Sequence, residues 1–583
     1  LKNSVISNEL IWQNLAPDYE PYLNLFAAAD KLDNATLAII QPRLYNSLER
    51  FLLTPTYSPF AIIKALECQS YLSELAKCIK NINPSSVAIT GDYQQSNGRF
   101  HWQAGTKGSF TPCHSVYFCN WIEMPQLFGS VHQHQNSVHL EPGLLHKING
   151  GVLLLSVGTL LAQPLMWQRL KQMVMQKRFE WLPANDNQFL PYPIDSMPLD
   201  IKQILVGDHF SLEELETKEP ELFSQATYGE YEFELNFEHS GQLSLWVQFI
   251  KQIITDCQFP ALTTDAWPTF ITQAIRYTED KSILPLDRMW LIRCLAEANQ
   301  FQQDNQLTAK SFQTAMQQRQ WQHGYLAKRN LYDILQKQVF IKTEGEMIGQ
   351  INGLSVMQYP GHPELIGEPS RITCVAHFGD GEFTDVERTV ELGGNIHAKG
   401  MMIMKAYLNY ELKLEQPQPF SASIVFEQSY NEVDGDSASL AELCALISAL
   451  SLQPIDQQIA VTGAVDQFGY VQPIGSINQK IESFFNVCFQ RELTGQQGVI
   501  IPAANIRHLC LKTDLIAAVK SGVFHLWPVE HVSEAISILT KHAYYKQQYD
   551  TNNLHLLALI QERITQANNQ ERPKFMGLLK WLN

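Results

Sequence analysis

The 583-residue sequence is poor in what several protein classes need. Only 17% of it is charged, whereas long disordered tails are rich in charge and poor in apolar side chains. No apolar run approaches the roughly 20 residues that a bilayer requires, so no membrane span is expected. The first residues, LKNSVISNELIWQNL, do not show the basic-then-apolar order of a signal peptide. Ten cysteines are present but none in C-x-x-C spacing, which fits reduced thiols in the cytoplasm. Basic residues number 43 against 59 acidic ones, a net charge of −16. Nucleic acid is therefore not an expected partner, since phosphate backbones bind to basic surfaces. A G-x-x-x-x-G-K-[ST] phosphate loop is missing, and so is a G-x-S-x-G nucleophile elbow.

What is present concentrates between Val425 and Lys480. SIVFEQ (Ser423–Gln428) alternates as a strand does. After the polar turn NEVDGD, Ser437 opens a helix over Ala438–Leu450, with Leu440, Leu443, Cys444 and Ile447 at helical spacing. QIAVTGAV and YVQPI read as two further strands with a turn at Gly469, and GSINQKIESFF opens a helix carrying Lys480. A serine before a helix is ordinarily a cap. A lysine in a first turn is ordinarily a solvated charge. The two become chemistry only if they meet, because a serine hydroxyl needs a base, and lysine is a base only when burial lowers its pKa. Ile474, Ile477, Ile481 and Phe484 could supply an apolar pocket. Glu427, Asp434 and Asp436 are nearby carboxylates that would oppose it by favouring the charged lysine.

DGDSAS around Ser437, then AVTG, VQPIG and QKI around Lys480, resemble the proteolytic domain of Lon proteases, in the LonB-like branch. The similarity extends through IGQINGLSVM, PSRIT, GGNIHAKG, GVIIPAAN and HLWPVEHVSEAI, about two hundred residues in order. It implies a Ser437–Lys480 dyad with Thr462 hydrogen-bonded to the lysine, and the compact α/β fold of that domain. The fold class expected is α/β multidomain. Its parts are a degenerate AAA+-like core, a helical lid and a Lon-type proteolytic domain.

The front of the chain resembles the ATPase module that LonB-like proteins carry. Helix 41–52 (QPRLYNSLERFL), strand 59–66 (PFAIIKAL) and helix CQSYLSELAKCIKNI follow its order. ECQSYL stands where the phosphate loop belongs. HKINGGVLLL resembles the Walker B strand, but Ser156 and Val157 replace the acidic pair. Such a strand cannot hold Mg²⁺ or polarise water. PLDIKQILVGD matches the next strand. No cofactor is expected, and no ATP hydrolysis. Cys113, His114, Cys119, His132, His134 and His139 fit no zinc spacing, so no metal is expected either.

The boundaries read are 1–110 and 111–265 for the two parts of the AAA+-like core, 266–342 for a three-helix lid with Thr308 as a cap, 343–544 for the proteolytic domain and 545–583 for a helical tail. PSRITCVAHFGDGEFTDVERTVELGG reads as a strand, a turn and a returning strand. IHAKGMMIMKAYLNYEL reads as an amphipathic helix with Met401, Met404, Tyr407 and Leu408 on its core face. Trp581 and Leu582 suggest docking of the tail. The activity expected is a Ser–Lys endopeptidase acting on unfolded polypeptide without ATP. The resemblance implies a homo-oligomeric ring, commonly of six subunits. A chaperone-like binding protein is an alternative, as is an ATP-dependent protease if nucleotide still binds. A small-molecule kinase is disfavoured, because DGDSAS would repel phosphate.

Overall fold

The computed structural model describes the chain except residues 1–8, 55–56, 84–87, 135–136, 184–188, 238, 379–382, 387–392, 414–419, 430–433, 547–554 and 572–583. Trp581 and Leu582 lie outside the described residues. The chain divides into two units. One comprises Ala27–Ala261 and Pro285–Asn299; the other comprises Leu1–Phe26, Leu262–Leu284 and Gln300–Asn583.

The first unit is built on a parallel sheet. Helix α1 (Pro42–Leu53) starts on Pro42, where a missing N–H costs nothing. Strand β1 (Phe60–Lys64) is buried over Phe60–Ile63, and helix α2 (Gln69–Ile82) follows it. Strands β2 (Val116–Cys119), β3 (Val152–Ser156), β4 (Lys202–Gly207) and β5 (Thr227–Glu230) complete the sheet in the order β5-β1-β4-β3-β2, each pair parallel. The continuous apolar run of β3, all of it buried, is what a parallel strand covered on both faces requires. Lys64 pairs with Gly207 and Val206 with Ser156. The segments leaving β1 and β3 therefore emerge at one edge, the usual place for a ligand in an open α/β sheet.

The second unit opens with three helices, α4 (Ala266–Thr278), α5 (Ala309–His323) and α6 (Tyr325–Leu335); α3 (Val157–Ala162) belongs to the first unit. Thr308 caps α5 by accepting from Ser311 N at 3.2 Å. The single long helix expected after Thr308 is broken at Gly324. A Cβ there would sit 2.4 Å from the Gln320 carbonyl oxygen, so only glycine fits the joint. The helix over Arg288–Asn299, read as part of the same lid, falls in the first unit. Residues 9–26 fall in the second: Leu10 N donates to Leu526 O at 2.9 Å, and Leu10 and Leu15 join the core around Ile481.

The seven-stranded sheet of this unit contains β6 (Gln350–Met357), β7 (Ile366–Phe378), β8 (Phe383–Asp385), β9 (Phe420–Glu427), β10 (Ile459–Val461), β11 (Gly498–Pro502) and β12 (His525–Val529), ordered β8-β9-β7-β6-β10-β11-β12. The Gly-Asp-Gly turn expected after β7 lies outside the described residues, and β8 pairs in parallel with β9. QIAVTGAV is not one strand. Ile459–Val461 joins the sheet, while Ala464–Val465 leaves it to pair with Val471–Gln472.

Alternate residues of these strands face opposite sides. Ile351, Val461 and Ile500 join the core around helices α7 (Asn395–Glu411) and α8 (Ser439–Ser451). Leu354, Ala460 and Val499 join the core around helix α9 (Ile477–Gln490). The sheet thus has α7 and α8 on one face and α9 on the other. All of α8 is buried, including the polar Ser439, Glu442, Ser448 and Ser451 among its mostly apolar residues. Met401, Met404, Tyr407 and Leu408 do form the core face of α7, while Met402 is exposed.

Candidate active site

The serine turn and the lysine helix approach from opposite faces and meet beyond the carboxyl end of β10. The backbone there is stapled. Gly463 N donates to Ser437 O at 2.8 Å, Leu440 N to Gly463 O at 3.1 Å and Ser439 N to Asp436 O at 3.0 Å. Ser439 Oγ accepts from Val465 N at 3.1 Å. These bonds tie the entry of α8 to the chain leaving β10, which explains why β10 stops where it does.

Lys480 lies in the first turns of α9, 2% exposed. Its Nζ donates to Ser437 Oγ at 2.8 Å. Ile477, Ile481 and Phe484 are buried in the surrounding core, with Ile474 packed against it. Burial lowers the lysine pKa to about 8, opposed by the negative charges of Asp436 and Glu279. Desolvation wins because an ammonium loses hydration that two offset carboxylates do not replace. Gly367 of β7 sets the approach of this helix: a Cβ there would meet Gln479 O at 2.1 Å and Lys480 N at 3.2 Å.

Thr462 is fully buried, and its hydroxyl donates to Ser437 O at 3.3 Å. It therefore holds the backbone of the serine turn, not the lysine to which the resemblance assigned it. Of the three nearby carboxylates, only Asp436 acts on Lys480. Asp434 accepts from Ile396 N at 3.2 Å. Glu427 accepts from Thr373 Oγ1 at 2.9 Å and lies 3.6 Å from Arg371.

Two further residues fix the approach to the lysine helix. Asn505, fully buried, accepts from Ile474 N at 2.9 Å and donates to Ile474 O at 2.8 Å, fixing the approach to α9. Glu279, from the end of α4, accepts from Ser476 N at 3.0 Å. GVIIPAAN contained Asn505 but gave it no task. RYTED gave no sign of Glu279's partner, because nothing local to it points there.

The edge of the first unit that follows β1 and β3 is differently furnished. Glu67 follows β1, and its carboxylate accepts from the Ser156 hydroxyl and from Gly158 N. A backbone amide at β3's exit, Gly158 N, is thus taken by an anionic side chain of the same unit. Among the described residues no three His, Cys, Asp or Glu side chains converge as metal ligands would, and no helix is long and apolar enough to cross a membrane.

Two family models match the chain. Residues 114–226 match the LonB-like AAA domain and residues 326–542 the Lon protease (S16) C-terminal proteolytic domain. A Lon protease homolog of Escherichia coli (strain K12) is 46% identical over 99% of this chain and 98% of its own length. One from Haemophilus influenzae is 38% identical over 98% and 96%. The archaeal Lon protease of Pyrococcus abyssi is 27% identical over 69% of this chain and 39% of its own. Likeness of this degree along almost the whole length, with a proteolytic domain around Ser437 and Lys480, makes the chain a peptidase of the Lon protease family.

Proposed function

We propose that this peptidase is a serine endopeptidase with a Ser437–Lys480 dyad, and that it cleaves unfolded polypeptide without ATP. The observation that carries the reading is the 2.8 Å bond between Lys480 Nζ and Ser437 Oγ, made by a lysine whose pKa lies near 8. At mildly alkaline pH a substantial share of such a lysine is neutral and can accept a proton. Ser437 Oγ attacks the peptide carbonyl carbon while its proton passes to Lys480 Nζ. The resulting oxyanion receives the backbone N–H of Ser437 beside the start of α8, where the helix dipole also favours negative charge; Ser439 N and Leu440 N are already bonded to Asp436 O and Gly463 O. Lys480 returns the proton to the leaving amine as the C–N bond breaks. Water, deprotonated by Lys480, then attacks the ester carbonyl, and Lys480 returns that proton to Ser437 Oγ as the acyl–oxygen bond breaks.

Support for ATP independence is the Glu67 arrangement. The Glu67 carboxylate uses the Ser156 hydroxyl and Gly158 N–H, and no lysine or glycine-rich turn follows β1 to receive phosphate. The substrate is read as an extended chain, since nothing here pulls folded domains apart, and the working form as a homo-oligomer on family analogy. The test is cleavage of casein by wild type, Ser437→Ala and Lys480→Ala, each with and without ATP and Mg²⁺. Loss in both variants and no nucleotide effect are expected. Cleavage by Ser437→Ala at the wild-type rate sinks the dyad; a wild type that works only with ATP sinks the independence.

A further inference from the structure

The helix that carries Lys480 is gripped by a segment outside the matched proteolytic domain. Helix α4 ends at Thr278, and Glu279 leaves it in the left-handed region at φ 56°. Its Oε2 accepts from Ser476 N at 3.0 Å and its Oε1 from Gln479 Nε2 at 3.1 Å. Ser476 is the N-cap of α9, itself left-handed at φ 55°, and has no side-chain cap of its own. A carboxylate at this end of a helix satisfies an amide that the helix leaves open and complements its dipole. One turn back in α4, Arg276 holds Glu482 with two bonds, at 2.7 and 3.1 Å. The grip therefore falls at positions 476, 479 and 482, on either side of Lys480.

We propose that Glu279 is a positioning residue for Lys480. Its carboxylate fixes where the first turn of α9 begins and sets a second negative charge toward the lysine. The idea rests on the dyad reading and extends it to a residue 197 positions ahead of Ser476. Elements packed on α9 bring other charges. β7 carries Glu368 and Arg371, α6 carries Arg329 paired with Asp333, and the 3-10 turn Ala503–His508 carries Arg507 and His508. Glu482 on α9 is matched by Arg276 and Lys512. The charges that act on Lys480 are those of Asp436 and Glu279. Removing the Glu279 charge thus leaves Asp436 as the only anion opposing desolvation, and the neutral lysine is favoured.

The test is the pH profile of kcat/KM for an unstructured peptide, measured on the full chain. Wild type, Glu279→Gln, Glu279→Ala and Lys480→Ala are compared, with thermal melts to confirm folding. Glu279→Gln keeps an acceptor for Ser476 N and loses the charge; its acidic limb is expected to move down by about half a pH unit or more. Glu279→Ala loses both and is expected to show the same shift with kcat reduced roughly tenfold at unchanged KM. An acidic limb that stays at the wild-type position in folded Glu279→Gln overturns the proposal, as does one that moves up. A Lys480→Ala enzyme that keeps wild-type activity and profile overturns the dyad reading instead. If Glu279→Ala fails to fold, the Glu279→Gln profile decides alone.

Discussion

The two units each present a polar arrangement where segments leave a sheet, and the arrangements differ in how complete they are. In the first, Glu67 accepts from Ser156 and Gly158, and donors and acceptor satisfy one another. In the second, a nearly buried ammonium is bonded to a half-buried serine hydroxyl and opposed by charges that do not neutralise it. A polar cluster that closes on itself stabilises and does nothing further. One held short of closure keeps a group whose protonation is poised near the working pH. The contrast is set by a few side chains and leaves both sheets intact.

The sharpest way to break this contrast is to remove the serine hydroxyl. Ser437→Ala is expected to lower peptide cleavage by at least three orders of magnitude, roughly the scale of losing a nucleophile, with the melting temperature preserved. Lys480→Ala should match it. Peptide turnover within tenfold of wild type in either variant would mean that the second site is as inert as the first.

Next in size is pH. With a lysine pKa of about 8, kcat/KM should rise nearly tenfold from pH 6 to 7 and level off above pH 9, as expected for one group that must lose a proton. A peptide assay across pH 6–10 checks it, and a flat profile removes Lys480 as the base.

A smaller effect tests the strain directly. Lys480 has a folded pKa below its ordinary 10.5, so its burial costs stability while both folded and unfolded states carry the proton, below about pH 8. Between pH 8 and 10.5 the unfolded state binds the extra proton and that cost is relieved. Lys480→Met is therefore expected to stabilise the unit at pH 7 by about 1–3 kcal/mol, with the gain shrinking toward pH 10. Paired denaturant melts at the two pH values measure it. A destabilised variant at pH 7 would show that the lysine is comfortable where it sits.

The smallest expected effect belongs to the closed site. Glu67→Ala should cost about 1 kcal/mol of stability and leave peptide cleavage unchanged, with no ATP hydrolysis before or after substitution. Phosphate release above background in wild type would show that the first site is not closed.

The sequence made the local parts of this molecule legible. The apolar run of β3, the alternation of β9 and the helical spacing of α8 each report their own surroundings, and the motifs around Ser437 and Lys480 lie on the segments that meet. What it hid was pairing at a distance. The stop of β10 before Gly463 depends on bonds to the serine turn. The hydroxyl of Thr462 turns to Ser437 O, a choice that β-propensity cannot express. β8 finds β9 across a helix, and Asn505 and Glu279 act on backbone far from their own. The joint at Gly324 was visible as a glycine but not as a break, because a glycine inside a helix costs only about 1 kcal/mol.

The grip of α4 on α9 also has a consequence in time. Arg276 and Glu482 are 206 positions apart in the chain, and a ribosome adds about 5–20 residues each second. The helix made first must therefore wait roughly 10–40 seconds for its partner. Until α9 is out, the serine turn has emerged without Lys480, and the bond between Lys480 Nζ and Ser437 Oγ cannot form in a chain still being made.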